Sequence, residues 1–502
     1  MFVRLAEVSF SYSGSVRILH DVSIQLTRGW TGVVGPNGAG KTTLIRLIAA
    51  ELAPARGYVR IDPPTAAIRM CPQTVETITP AIEALARAYD GVARRLYGEL
   101  ALEAAALARW RTLSPGERKR WQIGAALAAE PAVLILDEPT DHLDAEARAL
   151  LLAALERFRG IGIVVSHDRV MLERLTAYTV RVDRGSAQIW RGSYGEAKGA
   201  WEAEARERHA AFERLKHERD KLKRRLADKR RGAQSAEADW RAGAGKRMRG
   251  PRDHDATGMM AKGKAGMASA RLSRDAGILR RGVERVEERL GEFEFHKDKG
   301  RALFVDYVPA PMSRVFVVDR DDIFAGTKLV LEEVHLVVAR DSRIRVAGPN
   351  GAGKTTLLTA MLRASHLPAA RVLHLPQELT REDGVAMLET VRVLGGADRA
   401  RVLTLAAALG VDPDRLLGSL SPSPGEARKL ALAYGLGRQV WACVLDEPTN
   451  HLDMPAIERL EDALAAYPGA IVLVTHDEAL ARRVARETWR IQNGHLEIES
   501  NL

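Results

Sequence analysis

The octapeptide GPNGAGKT stands at Gly35–Thr42 and again at Gly348–Thr355. Outward from each copy the same motifs follow in the same order. Beyond the first lie CPQ with Gln73, LSPGE with Ser114, VLILDEPTDHLD with Asp137 and Glu138, and VVSHD with His167. Beyond the second lie LPQ with Gln377, SPGE with Ser423, CVLDEPTNHLD with Asp446 and Glu447, and LVTHD with His476. The copies are 313 positions apart at Lys41 and Lys354, and 309 apart at the serine, the glutamate and the histidine. So constant an offset marks one unit that has been duplicated. The 502 residues divide into repeats at 1–194 and 313–502 around an inserted segment, 195–312.

The short apolar run before each octapeptide reads as a strand end, and TTLIRLIAA and TTLLTAMLR after it carry helical periodicity. Strand, glycine-rich turn and helix are the parts of a phosphate cradle in an α/β domain. Glycines let successive backbone N–H groups turn toward an oxyanion, and the helix N-terminus adds its dipole. The expected ATP-binding residues are Gly35, Pro36, Asn37, Gly38, Ala39, Gly40, Lys41, Thr42 and Thr43. In the second repeat they are Gly348, Pro349, Asn350, Gly351, Ala352, Gly353, Lys354, Thr355 and Thr356. Lys41 and Lys354 would reach phosphate oxygens, while Thr42 and Thr355 would hold Mg²⁺ with Asp137 and Asp446. Glu138 and Glu447, at the ends of buried strands, suit the base that polarises an attacking water. His167 and His476 would sense the γ-phosphate, and Gln73 and Gln377 would touch Mg²⁺ or that water. The reaction expected is ATP hydrolysis, with ATP and Mg²⁺ required.

The bulk properties narrow the setting. Cys71 and Cys443 belong to no paired or metal-binding pattern, so a reducing compartment is expected. No apolar run approaches the roughly 20 residues of a bilayer span, and the N-terminus lacks a signal pattern; a cytoplasmic protein is expected. Formal charge is +10, but residues 221–281 alone hold 18 Lys/Arg against 6 Asp/Glu, leaving about −2 for everything else. One sign in threefold excess over sixty residues points to a polyanionic partner.

Ser114 and Gly116 in LSPGERKR, and Ser423 and Gly425 in the second copy, make the chain resemble the ATP-binding cassette superfamily. The resemblance implies two cassettes packed head to tail within one chain, functional as a monomer. Lys41 and Ser423 would then share one ATP, and Lys354 and Ser114 the other. Tyr12 and Phe324 look like the aromatic that stacks on adenine, with a core role the alternative for both. The second signature reads LSPSPGE, so Ser421 rivals Ser423 there.

Tandem cassettes, EPTNHLD and a charged insert together resemble the ABC-F family, with Asp141 departing from its usual Asn. The fold expected is α/β, two tandem cassettes joined by an antiparallel α-helical hairpin. Trp201, Ala205, Phe212, Leu215, Leu222 and Leu226 would form one seam of that hairpin. Leu272, Leu279, Val283, Val286, Leu290 and Phe293 would form the other, with a tip at about 232–271. A disordered linker is the alternative. The family resemblance implies a ribosomal partner, with the tip near P-site tRNA and the peptidyl-transferase centre. Arg224, Arg225, Arg230, Arg231, Lys246, Arg247, Arg249, Lys262 and Lys264 would meet rRNA and tRNA phosphates. Trp240, Met248, Met259 and Met260 would pack near bases or a drug site. Only 41 positions separate Gln73 from Ser114, too few for the extra arm of the translational-throttle type. No lysine-rich coiled coil follows the second repeat. Both features resemble the antibiotic-resistance members, against a housekeeping translation factor, an exporter subunit or a DNA-repair ATPase.

Overall fold

The computed structural model describes residues 1–13, 16–141, 143–245, 256–291 and 307–500. Backbone packing separates one unit, Met1–Ala197 with Lys299–Leu502, from a second, Lys198–Asp298.

The first repeat holds β1 (Phe2–Ser13), β2 (Val16–Leu26), β3 (Gly29–Val34), β4 (Arg56–Asp62) and β5 (Ile68–Cys71). It continues with β6 (Val133–Asp137), β7 (Ile161–Val165), β8 (Thr176–Asp183) and β9 (Ser186–Arg191). The second holds β10 (Arg314–Ala325), β11 (Lys328–Ala339), β12 (Arg343–Ala347) and β13 (Val372–Leu375). Its remaining strands are β14 (Ala442–Asp446), β15 (Ala470–Val474), β16 (Glu487–Gln492) and β17 (His495–Ser500). Each repeat builds a six-stranded sheet, β5-β6-β7-β3-β8-β9 and β13-β14-β15-β12-β16-β17. In each, all strands are parallel except the antiparallel edges β9 and β17. Antiparallel layers, β2-β1-β4 and β10-β11, accompany them.

The central strands are apolar throughout because both sheet faces are covered. VLILD in β6 and AIVLV in β15 are buried at every residue. Leu44, Ile45 and Leu47 of helix Lys41–Ile48 share a core with Val33, Ile135 and Ile163. Leu357, Leu358 and Met361 of helix Lys354–Arg363 share one with Ile344, Val444 and Val472. Each such side chain contributes about 1.5–3 kcal/mol of burial. Register then decides where the chemistry stands. Val165 of β7 pairs with Val33 of β3 on one side and Asp137 of β6 on the other. Val474 of β15 likewise pairs with Val346 of β12 and Asp446 of β14. The glycine-rich loop, the Asp-Glu pair and the histidine therefore leave each sheet side by side at its carboxyl edge.

The second unit is a pair of antiparallel helices, formed within Tyr194–Gly245 and by Ala256–Gly291. Lys223 pairs with Glu287 at 2.7 Å and Lys229 with Asp275 at 3.2 Å, so the partners descend as the first helix ascends. Leu215, Val283 and Val286 are buried in the seam. Ala205, assigned to it by spacing, is exposed. Helix continues through 232–245 and 256–271, where the sequence shows no apolar period. Arg224, Arg225, Arg230 and Arg231 are exposed along the first helix. Lys246, Arg247, Met248, Arg249 and Phe293 lie outside the described residues, as do the side chains of Trp240, Met259, Met260, Lys262, Lys264 and Leu272.

Candidate active site

Each glycine-rich loop ends in a helix whose N-cap is a left-handed glycine, Gly40 at φ 103° and Gly353 at φ 100°, without a side-chain cap. The first N–H groups of both helices are thus left to a ligand, which is how a helix start receives an anion. Gly35 also has positive φ, 150°, and a Cβ there would stand 2.0 Å from the Val182 carbonyl oxygen. No other residue fits so close to backbone. Lys41 Nζ donates to the carbonyls of Gly35 and Pro36 at 2.8 and 3.1 Å, and Lys354 Nζ to those of Gly348 and Pro349 at 2.8 and 3.0 Å. Both ammonium groups lie inside their loops. Burial, chiefly, lowers both lysine pKa values, against the pull of the neighbouring carboxylates.

The Mg²⁺-type residues meet in both repeats. Thr42 Oγ1 donates to Asp137 Oδ2 at 3.1 Å, and Thr355 Oγ1 to Asp446 Oδ2 at 2.6 Å. A hydroxyl beside a carboxylate, next to an uncapped helix start and a lysine, is a donor set that suits a hard divalent cation with phosphate. Glu138 and Glu447 follow immediately, at φ 44° and 47°, a region that non-glycine residues seldom occupy. Their N–H groups donate to the Val165 and Val474 carbonyls, both at 2.9 Å, which holds this conformation. The sequence gives no sign of that strain.

Each glutamate faces its histidine. The His167 N–H donates to Glu138 Oε2 at 3.2 Å, and the ring Nε2 lies 3.0 Å from Oε1. His476 repeats the arrangement with Glu447 at 3.3 and 3.4 Å. Burial raises Glu447 to about 7 and lowers the histidines, His167 to about 3 and His476 to about 4. Glu138 is raised well above the ordinary range, first by burial and then by the charge of Asp141. A carboxyl near 7 beside a neutral imidazole matches the requirement of a general base at neutral pH.

Ser114 and Ser423 each cap the helix that follows, Pro115–Ala128 and Pro424–Gly437. Their hydroxyls accept from the N–H of Glu117 and Glu426, whose carboxylates bond back, a reciprocal capping box. Ser421 instead accepts from Arg381 Nε, so Ser423 is the structural equivalent of Ser114. Five residues into each helix sits a buried cation that the sequence reading passed over. Lys119 Nζ donates to the carbonyls of Pro72, Gln73 and Asp137 at 2.6–3.1 Å. Arg428 donates to those of Pro376, Gln377 and Glu447 at 2.7–3.1 Å. Their common 309-residue offset was the available signal.

The two repeats face one another. One cavity of about 500 Å³ is lined by Ser114 together with Lys354, Thr355, Gln377, Asp446, Glu447 and His476. On the other side the Asn37 N–H donates to Asp453 Oδ2 at 2.9 Å and Asn37 Nδ2 to the His451 carbonyl at 3.0 Å. A Cβ on Gly425 would lie 3.6 Å from Asn37 Nδ2, so the second signature helix begins against the first loop. Both glutamines are exposed, but Gln73 donates to Asp141 Oδ2 at 2.9 Å whereas Gln377 lines the cavity. Tyr12 and Phe324 are 60% and 52% exposed, which excludes a core role for either. The Tyr12 hydroxyl bonds Thr43 Oγ1 at 3.2 Å, beside the phosphate loop.

The family model described as ABC transporter matches residues 19–141 and 331–450. The tylosin resistance ATP-binding protein TlrC of Streptomyces fradiae is 31% identical over 95% of this chain and 95% of its own. The energy-dependent translational throttle protein EttA of Escherichia coli K12 is 28% identical, covering 93% and 88%. The ribosome protection protein VmlR of Bacillus subtilis 168 is 25% identical, covering 99% and 88%. Among solved structures, an RNase-L inhibitor shares the fold at a TM-score of 0.58 and 16% identity, over 98% and 89%.

Proposed function

The chain belongs to the ABC-F family of ATP-binding cassette proteins, and from that premise we propose that it is a ribosome-binding ATPase that counters ribosome-targeting antibiotics. The observation that carries the reading is the basic helical hairpin. Its exposed arginines, in a segment of net charge +12, suit the phosphates of rRNA and tRNA. The relative named for ribosome protection supports the same partner, and the one named for tylosin resistance supports the role.

In the cassettes, Lys41 and the loop N–H groups bind phosphate with Ser423 across the interface, and Lys354 does so with Ser114. Thr42 with Asp137, and Thr355 with Asp446, are the residues that would hold Mg²⁺, which supplies charge neutralisation at the phosphate oxygens when bound. Glu138 and Glu447 take the proton of an attacking water, and the paired histidines hold each carboxylate in place. Burial of both glutamates excludes competing water. Closure of the cassettes on ATP fixes the hairpin for ribosome entry, and hydrolysis releases it.

The similarity to a translational throttle protein makes a housekeeping role in translation the second reading. Against it stand the short helices Pro80–Arg87 and Gly91–Glu99, which fill the stretch between Gln73 and Ser114 without a projecting arm. A panel of minimum inhibitory concentrations, with and without the gene, separates the two. Resistance to a ribosome-targeting class is expected, and unchanged sensitivity throughout would remove the protective role. Replacing residues 243–267 with a short Gly/Ser connector should abolish protection while ATP turnover persists. Co-sedimentation with ribosomes should require ATP rather than ADP and weaken as salt rises; co-sedimentation with membranes instead would indicate an exporter subunit.

A further inference from the structure

Between the two histidine segments stands one arginine that no motif contains. Arg148 Nε pairs with Asp168 Oδ2 at 3.0 Å, and Asp168 is the residue directly after His167. Arg148 Nη1 crosses to the other repeat and donates to the His476 backbone carbonyl at 3.0 Å. Both ends of the bridge are fixed. Asp168 Oδ1 accepts from the Met171 N–H at 3.0 Å and so caps helix Arg169–Leu175. The His476 segment is tied to Glu447 through its own N–H. The side chains of Arg148 and Asp168 are only 18% and 8% exposed, so water competes weakly for the pair. Position 457, the counterpart of Arg148 at the same offset, is Ile457. Among the described residues the bridge therefore exists once, although the sites it joins exist twice.

We propose that Arg148 is a positioning residue that couples the two nucleotide sites, transmitting the placement of His476 in one to Asp168 and His167 in the other. This rests on the reading of both sites as ATP sites. A planar guanidinium holds the Asp168 carboxylate by charge and the His476 carbonyl by a hydrogen bond from one rigid plane, which a flexible ammonium does not. When a γ-phosphate reorients His476, the carbonyl carried by the same residue shifts. The fork shifts with it, and so does the carboxylate next to His167, whose N–H and ring hold Glu138. By linkage the influence on binding is reciprocal, so occupation of either site alters affinity at the other.

The test is titration of the full chain with a fluorescent, non-hydrolysable ATP analogue and Mg²⁺, fitted to two sites. The wild type should show a coupling factor in the usual range, roughly 5- to 150-fold. In Arg148→Met the factor should fall to near one. Asp168→Asn keeps an acceptor for the helix cap and removes the charge; it should do the same, with no further loss in the double variant. Should Arg148→Met fail to fold, Arg148→Lys keeps the charge without the fork and should retain only part of the coupling. Steady-state turnover adds a second readout. In a Glu138→Gln background, where only the second site works, Arg148→Met should lower kcat about tenfold, a change worth about 1.4 kcal/mol, with KM little altered. A wild-type coupling factor in Arg148→Met, or additive effects with Asp168→Asn, would overturn the bridge. If Glu138→Gln and Glu447→Gln leave turnover intact, the catalytic reading falls, while the binding titration still judges the coupling.

Discussion

The two repeats share their motifs, yet the two halves of the face between them are held by different charges. On the side of the first phosphate loop, Asp453 Oδ2 accepts from the Asn37 N–H at 2.9 Å and from Lys429 Nζ at 3.3 Å. Lys429 and Asp453 are 6% and 8% exposed, a buried pair. Their counterparts do something else. Arg120 turns to the carbonyls of Leu100 and Ala101, and Asp144 keeps only the helix cap, through the Ala147 N–H, that Asp453 also makes through the Ala456 N–H. Among the described residues no hydrogen bond joins Asp144 to Asn350. The second phosphate loop instead borders the cavity, with Arg148 and Ser114 opposite. Further out, Arg169 pairs with Glu461 across the interface at 2.6 Å, where the equivalent positions are Glu478 and Leu152. The repeats share their phosphate-loop and sheet-edge residues and differ in the groups that meet the other repeat. Selection for chemistry acts on each site alone, whereas a single chain folding once needs only one working arrangement of the contacts between them.

That comparison can be broken at its base by the glutamates. Glu138→Gln and Glu447→Gln together should lower ATP turnover on the order of 10²–10⁴, the usual cost of losing a general base. Each alone should silence one site, leaving residual rates that differ because the two interfaces differ. Identical single-variant rates in a phosphate-release assay would mean that the asymmetry has no kinetic consequence.

A smaller effect tests the buried pair directly. Asp453→Ala strands Lys429 without its partner, which costs about 3–5 kcal/mol. Asp144→Ala removes only a helix cap, about 1 kcal/mol. Chemical denaturation of the two variants side by side should show that gap, and equal losses would contradict the reading of Lys429 and Asp453 as a buried ion pair.

The third test uses pH on the protein without nucleotide. Glu447 titrates near 7 when folded, against 4.5 as a free side chain, because burial disfavours its charge. Between those values the folded state holds a proton that the unfolded chain has released. Stability therefore falls as pH rises from about 4.5 to about 7 and levels off above, by about 3 kcal/mol for this group. Glu447→Gln should remove that slope and be the more stable protein above pH 7. Denaturation curves at pH 5 and pH 8 that move in parallel for variant and wild type would refute it.

Much of the fold was legible because its determinants are local and repeated. Both copies of GPNGAGKT join a strand to a helix through a turn, and the short apolar runs at β6 and β15 are central strands. The candidate catalytic groups were legible for the same reason; register at the sheet edge brings them together once the strands pair. The choice between Ser421 and Ser423 was not, since it depends on which hydroxyl meets a free N–H at a helix start. Nor were Arg148, Lys429 and Asp453, whose partners lie hundreds of positions away and share no pattern with them. The hairpin shows the opposite failure. An apolar period was needed to see helix in the sequence, and it fades before the helices end.

The helix Tyr194–Gly245 runs unbroken for 52 residues, about 78 Å at 1.5 Å per residue. An unbroken helix makes length and direction inseparable. Seven inserted residues extend the arm by about 10 Å and turn its end by only about 20°, whereas four extend it by about 6 Å and swing the end by about 40°. Descendants of this chain can therefore lengthen their reach cheaply only in whole heptads. Any other insertion presents a different side of the tip, and selection for a new target has a ready dial in the insertion and deletion of single turns.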